Sequence, residues 1–294
     1  MAIFEGAGVA IVTPFFENGD INFGKLEEYI DFQIENGTDA IIICGTTGEA
    51  STMSDDEHLE CIKVAVDRTA GRVPVIAGAG SNDTRHGINL TKRAKALGVD
   101  ATLQVTPYYN KATQKGLIEH FTAIGREVDL PMILYSVPSR TGVTIAPKTV
   151  AALAKYDFVQ GIKEATGNIS NVAEIAALCG TDFPIYSGND DQVLPILSLG
   201  GKGVISVLSN VAPKQTHDMV RLYLDGHKED ALRLQLEFLP LVKALFCEVN
   251  PIPVKAALNL MGMEAGPCRL PLTSLEEEHM PLLKQALIDA KLLG

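Results

Sequence analysis

The sequence predicts an α/β protein, a (β/α)₈ TIM barrel with a C-terminal helical appendage. Two observations carry that expectation. Short apolar, β-branched runs recur along the chain with helical segments between them. The runs are nearly continuous in apolar residues rather than alternating, which marks parallel strands covered on both faces. Eight such units of about 20–33 residues fit a closed barrel, whose usual length is roughly 250 residues. The competing arrangement, an open doubly wound sheet, normally has fewer strands. Its GxGxxG fingerprint after the first strand is absent here.

Strands are expected at GVAIVTPF from Gly8, AIIICGTT from Ala40, VPVIAGAG from Val73, ATLQVTPYY from Ala101 and PMILYSVP from Pro131. Three more follow, at VQGIKEAT from Val159, FPIYSGND from Phe183 and GVISVLSN from Gly203. The first helix, Phe23 to Asn36, has an apolar stripe at Phe23, Leu26, Tyr29, Ile30 and Ile34, and Gly37 stops it. Ser54-Asp55-Asp56-Glu57 is a capping box that opens the second. Further helices are expected over Asp83–Leu97, Gln114–Val128, Pro147–Tyr156, Ile169–Cys179, Asp190–Leu199 and Pro213–Leu224. Pro147 and Pro213 suit a first helical turn. The barrel is thus assigned to residues 1–225 and the appendage to 226–294. Helical periodicity in the appendage covers His227–Phe246, Ile252–Met261 and Ser274–Leu293. No linker precedes it, so it is expected to pack on the barrel, and it shows no obvious chemistry.

Composition narrows the function. Of 294 residues, 46% are hydrophobic and 21% charged, an ordinary globular balance. A formal net charge of −11 argues against nucleic acid and anionic membrane surfaces as partners. The cysteines are Cys44, Cys61, Cys179, Cys247 and Cys268, an odd number without CxxC spacing, so neither a disulfide framework nor a zinc site is expected. MAIFEGAG lacks a basic segment followed by a long apolar one, so no signal peptide is expected. No apolar stretch is long enough to span a membrane. A reducing cytoplasm is the expected compartment.

In such a barrel, chemistry gathers at the C-terminal ends of the strands. Lys163 interrupts an apolar run there. A buried ammonium is driven toward its neutral form, and a neutral amine can attack a ketone to make an imine. The plainer alternative is a lysine snorkelling to solvent or paired with Glu164. Tyr135 ends the fifth strand, where a phenol can relay protons; a packed rim tyrosine is the alternative. Tyr108 and Tyr109 carry the same ambiguity. GTTGEA, Gly45 to Ala50, offers backbone N–H groups and the Thr46 and Thr47 hydroxyls to a small carboxylate, or is merely a helix-capping turn. Arg140 in VPSRTG can grip a carboxylate with two hydrogen bonds, or lie on the surface. All six histidines fall in expected helices and neither HxH nor HExxH occurs, so no metal is expected, and no other cofactor. The loops after the last two strands lack the glycine cradle that a phosphate would call for.

Seven strings then occur in order: GVAIVTPF, CGTTGEA, TPYYNK, LYSVPSRTG, GIKEATGN, YSGNDD and NPIPVK. From Ala7 to about Leu272 they closely resemble the dihydrodipicolinate synthase family, within the pyruvate-dependent class I aldolases. PYYN followed by VPSRTG favours that family over N-acetylneuraminate lyases and keto-deoxy-gluconate aldolases. The resemblance implies that pyruvate forms a Schiff base on Lys163. The enamine then attacks L-aspartate 4-semialdehyde to give 4-hydroxy-tetrahydrodipicolinate, on the route to lysine and diaminopimelate. It implies a proton relay of Thr46, Tyr135 and Tyr109, with Tyr109 reaching in from a neighbouring subunit of a homotetramer built as a dimer of dimers. Thr46 and Thr47 would hold the pyruvate carboxylate and Arg140 that of the aldehyde. The backbone of Gly188 and Ile205 would line the site.

Two positions depart from the family pattern. Ser136 stands where Asn usually follows the tyrosine; strand neighbours face opposite sides, so it is expected to point away from Lys163. Lysine-inhibited members use an Asn and, four residues on, a Glu. Here Asn82 is followed by His86, with Tyr108 a third candidate regulatory position. Histidine offers no fixed negative charge to an ammonium, so weak or absent lysine inhibition is expected. Two other readings remain: a related lyase acting on a sugar acid, and a non-catalytic binding protein, which should have lost the lysine or the tyrosines.

Overall fold

The computed structural model describes residues 2–294. Eight strands form the barrel: β1 Gly6–Ala10, β2 Ala40–Ile43, β3 Val75–Gly78, β4 Ala101–Val105, β5 Met132–Ser136, β6 Val159–Glu164, β7 Ile185–Ser187 and β8 Gly203–Ser206. Every pairing is parallel and joins neighbours in sequence, and β8 closes on β1 with Gly8 opposite Ile205. Closure removes both sheet edges. The expected barrel is the observed one.

Three strands begin just after a proline: Pro74, Pro131 and Pro184 precede β3, β5 and β7. Proline has no N–H to give to a ladder. Each still supplies its carbonyl to the neighbouring strand, accepting from Ile41, Thr102 and Ile162 at 2.9 Å. This is why β3 and β7 start two residues later than the apolar runs.

Strand alternation sorts side chains between two cores. Ile41 and Ile43 face outward and pack with Leu26, Ile30 and Ile62 of the surrounding helices. Ile42 faces inward with Ile76, Leu103, Ile133, Tyr135, Tyr186 and Ile205. Tyr186 stacks on Phe4, with ring centroids 4.4 Å apart, and donates its hydroxyl to the Phe4 carbonyl at 2.8 Å.

The helices follow the periodicity closely. Gln114–Val128, Ile169–Cys179 and Pro213–Leu224 occur with the expected bounds. Ser54 and Glu57 form both halves of the capping box before Asp55–Thr69. Two expectations need correction. Asp190–Leu199 divides into a 3₁₀ turn, Asp190–Gln192, and a short helix, Val193–Ser198. In the last segment only Met280–Asp289 is helical, because Pro281 is tolerated only in a first turn. One short helix, Pro138–Thr141, was not anticipated; Gly142 ends it with φ of 72°.

The appendage contains helices Lys228–Ala244 and Ile252–Leu260 besides Met280–Asp289. Its Phe238, Leu241, Val254, Leu258 and Leu283 join the same apolar cluster as Val9, Ile11 and Ile41 of the barrel. It is also tied by a buried ion pair, Lys255 Nζ to Glu49 Oε1 at 2.9 Å. The same ammonium donates to the carbonyls of Thr13 at 3.0 Å and Pro267 at 2.6 Å. No helix among the described residues is long and apolar enough to cross a membrane.

Candidate active site

Lys163 stands in β6 with Tyr135 of β5 on one side in register and Tyr186 of β7 on the other. Its side chain is buried at 6% exposure, and Nζ lies 4.5 Å from the centre of the Tyr135 ring. Gly188 makes room for it, since a Cβ there would stand 3.2 Å from Lys163 Cε. Glu164 points the other way. Its oxygens accept from the Thr166 N–H at 2.7 Å and from Asn171 Nδ2 at 3.0 Å. The alternative of a Lys163–Glu164 pair is therefore excluded. Among the described residues no carboxylate lies within salt-bridge distance of Lys163, and the ammonium is neither snorkelling nor paired.

That setting changes its acidity. Burial brings the Lys163 ammonium down to about 8, against the pull of the Asp190 carboxylate and with a small push from Arg140. Tyr135, also buried, has its phenol raised by desolvation, with Arg140 and the neighbouring Thr46 hydroxyl acting in the opposite sense. The pair thus joins an amine that is easily neutral to a phenol that holds its proton.

The loop after β2 supplies Thr46 and Thr47. The chain turns at Cys44, with φ of 55°, directly over Gly78, where a Cβ would meet the Cys44 carbonyl oxygen at 2.1 Å. Only glycine allows that approach. The far end of the loop is held by Glu49, which accepts from Lys255 and, at 2.9 Å, from the Arg269 N–H.

Thr46, Tyr135, Val137 and Arg140 line a cavity of about 420 Å³ that continues past Tyr108 to Asp55, His58 and His86. Lys163 does not line it and sits beside the Tyr135 ring instead. Arg140 rises from the short Pro138–Thr141 helix, and its guanidinium donates to the Asn250 carbonyl at 3.0 Å. Thr47 receives the Asn250 side-chain N–H at 3.0 Å. Ile205 lies in the inward-facing cluster with Tyr135.

Tyr109 is not brought to this site within its own chain. It is 91% exposed, with φ of 72°. Asn82 donates to the Tyr108 carbonyl at 3.3 Å. His86 bonds Ser81 Oγ at 3.1 Å and Asp55 Oδ1 at 3.0 Å, so an acidic group does stand beside it. Ser136 faces away from Lys163, its hydroxyl accepting from the Ile145 N–H at 3.2 Å.

Three contributors escaped the sequence reading. Asp190 is buried, and its Oδ2 accepts from the N–H groups of Val207 and Leu208, both at 3.0 Å. Its place in SGND, just past a strand end, was the available signal. Asn250 and Lys255 belong to NPIPVK in the appendage, a motif noticed for its resemblance but given no chemistry. The appendage packs on the barrel as expected and also reaches the site, because Asn250 touches both Thr47 and Arg140.

Comparison with known proteins agrees with this fold. Residues 3–290 match the Dihydrodipicolinate synthetase family. The 4-hydroxy-tetrahydrodipicolinate synthase of Lachnoclostridium phytofermentans is 61% identical over 284 residues, covering 96% of this chain and 97% of that one. A chloride-inhibited dihydrodipicolinate synthase from Acinetobacter baumannii, solved in complex with pyruvate, superposes with a TM-score of 0.96 at 44% identity, over 98% of this chain and 99% of that one. A monomeric dihydrodipicolinate synthase variant also superposes with a TM-score of 0.96 at 44% identity, over 99% and 98% of the two chains.

Proposed function

The chain belongs to the dihydrodipicolinate synthetase family, and from that premise we propose that it is a class I aldolase-type lyase acting as a 4-hydroxy-tetrahydrodipicolinate synthase. It condenses pyruvate with L-aspartate 4-semialdehyde, on the route to lysine and diaminopimelate. The observation that carries the mechanism is the unpaired, buried Lys163 beside Tyr135, with its ammonium near 8.

The neutral Lys163 amine attacks the pyruvate keto carbon. Tyr135 passes a proton to the departing oxygen, water leaves, and an imine remains. Tyr135, having given up its proton, takes one from the methyl group to give the enamine. The enamine carbon bonds to the aldehyde carbon as the C=O π bond opens, and the proton passes from Tyr135 to the aldehyde oxygen, which becomes a hydroxyl. The substrate amine then attacks the imine carbon, closes the ring and releases Lys163. Thr46 and Thr47 hold the pyruvate carboxylate, and Arg140 holds that of the aldehyde. The backbone of Gly188 and Ile205 lines the Lys163 side of the site. No metal or organic cofactor enters these steps.

Tyr109 completes the relay from a neighbouring copy in a homotetramer; its exposure in a single chain supports this. A monomeric relative keeps the same chain fold, so sedimentation of the purified protein decides the assembly. The free cysteines accord with a cytoplasmic location.

The central test is borohydride reduction in the presence of pyruvate, followed by peptide mass spectrometry. A reduced pyruvyl adduct on Lys163 is expected; an adduct elsewhere, or none, overturns the mechanism. Replacing Arg140 with Ala should impair use of aspartate semialdehyde far more than adduct formation. Equal losses would show that the role assigned to Arg140 is wrong.

A further inference from the structure

Asn250 comes from the helical appendage, yet it lies between the two residues assigned to the two substrate carboxylates. It is 5% exposed. Its side chain and its backbone serve different neighbours. Nδ2 donates to Thr47 Oγ1 at 3.0 Å, while the backbone carbonyl accepts from Arg140 at 3.0 Å. Asn250 Oδ1 is buried and has no partner among the described residues.

A hydroxyl has one proton and two lone pairs. When Asn250 fills a lone pair of Thr47, the Thr47 proton is not used on Asn250 and is left for another acceptor. A carboxylate needs that proton and is repelled by lone pairs. An acceptor in place of the Asn250 N–H would capture the proton and reverse the polarity of Thr47.

We infer that Asn250 is a positioning residue whose amide sets the Thr47 hydroxyl as a donor toward the pyruvate carboxylate. This rests on the pyruvate reading proposed above. It also makes the appendage part of the substrate-binding apparatus. Because Arg140 is held by the backbone carbonyl, replacing the Asn250 side chain leaves that contact in place. Pyruvate binding should change and aldehyde binding should not.

The test measures half-saturation by pyruvate in borohydride trapping on Lys163, together with KM for each substrate. The proteins are the wild type, Asn250→Ala, Asn250→Asp, Thr47→Val and the Asn250→Ala/Thr47→Val double variant. Asn250→Ala should raise the pyruvate half-saturation by about tenfold, the size of one hydrogen bond, and leave the aldehyde KM within about twofold. Asn250→Asp keeps the shape but can only accept, so it should raise the value further. It also preserves the answer if Asn250→Ala fails to fold. The double variant should be no worse than Thr47→Val, because Asn250 acts through Thr47. Unchanged pyruvate half-saturation in folded Asn250→Asp, or penalties that multiply in the double variant, would overturn the inference. Absence of any pyruvyl adduct in the wild type would remove the pyruvate reading itself, and this inference with it.

Discussion

The Lys163 ammonium lies 4.5 Å from the centre of the Tyr135 ring, and the two residues are register partners on adjacent strands. A closed barrel holds such a pair rigidly, since both strands are bonded on each side. The proton relay proposed for Tyr135 rests on this fixed pairing. Replacing Tyr135 with Phe should keep the fold and the ring contact but lower kcat by about 10²–10⁴-fold, the usual worth of one acid–base group. Steady-state rates with matched thermal melts check this.

The acidity of Lys163 sets the pH dependence of imine formation. Only the neutral amine attacks, so trapping with pyruvate should fall as pH drops below about 8 and level off above it. The Asp190 carboxylate favours the charged amine. Asp190→Asn should therefore move the midpoint to lower pH, even if the variant is less stable. A midpoint that stays put or rises would show that Asp190 does not act on Lys163 through its charge.

Lys255 and Glu49 are both almost fully buried, and their ion pair joins the appendage to the threonine loop. Lys255→Met leaves Glu49 charged and without its ammonium partner, and should cost about 3–5 kcal/mol of stability. Adding Glu49→Gln removes the stranded charge and should restore part of that loss. Urea titrations of the single and double variants measure both steps.

Inhibition by L-lysine should be weak or absent. His86 occupies the position where a fixed carboxylate serves in lysine-inhibited relatives, and its ring is already engaged by Ser81 and Asp55. Asp55 is the acidic group in contact with that ring. Turnover measured against micromolar to millimolar lysine decides the matter; micromolar inhibition would overturn the prediction.

The sequence by itself determined the barrel and gathered most of the residues proposed for its site. Continuous apolar runs such as AIIIC and GVIS can be buried only between two layers, and eight of them with helices between lead to one closed sheet. Because strand ends share one mouth, Lys163, Tyr135, Thr46 and Arg140 could be gathered before any coordinates. Helix bounds were legible where a cap or a glycine marked them, as at Ser54 and Gly37. They were lost where the periodicity ran past a proline, as before Met280.

Tertiary structure alone decided the rest, because those contacts join residues far apart in the chain. Asn250 meets Thr47 across 203 residues, and Lys255 meets Glu49 across 206. No local pattern encodes such pairings, since an Asn or a Lys in an amphipathic helical region reads as a solvated side chain. Burial has the same character. The choice between a snorkelling Lys163 and a desolvated one depended on where Glu164 points and on what covers the strand end. Those are properties of the closed and covered barrel, in which the cost of desolvating the ammonium shifts Lys163 toward its neutral, nucleophilic form.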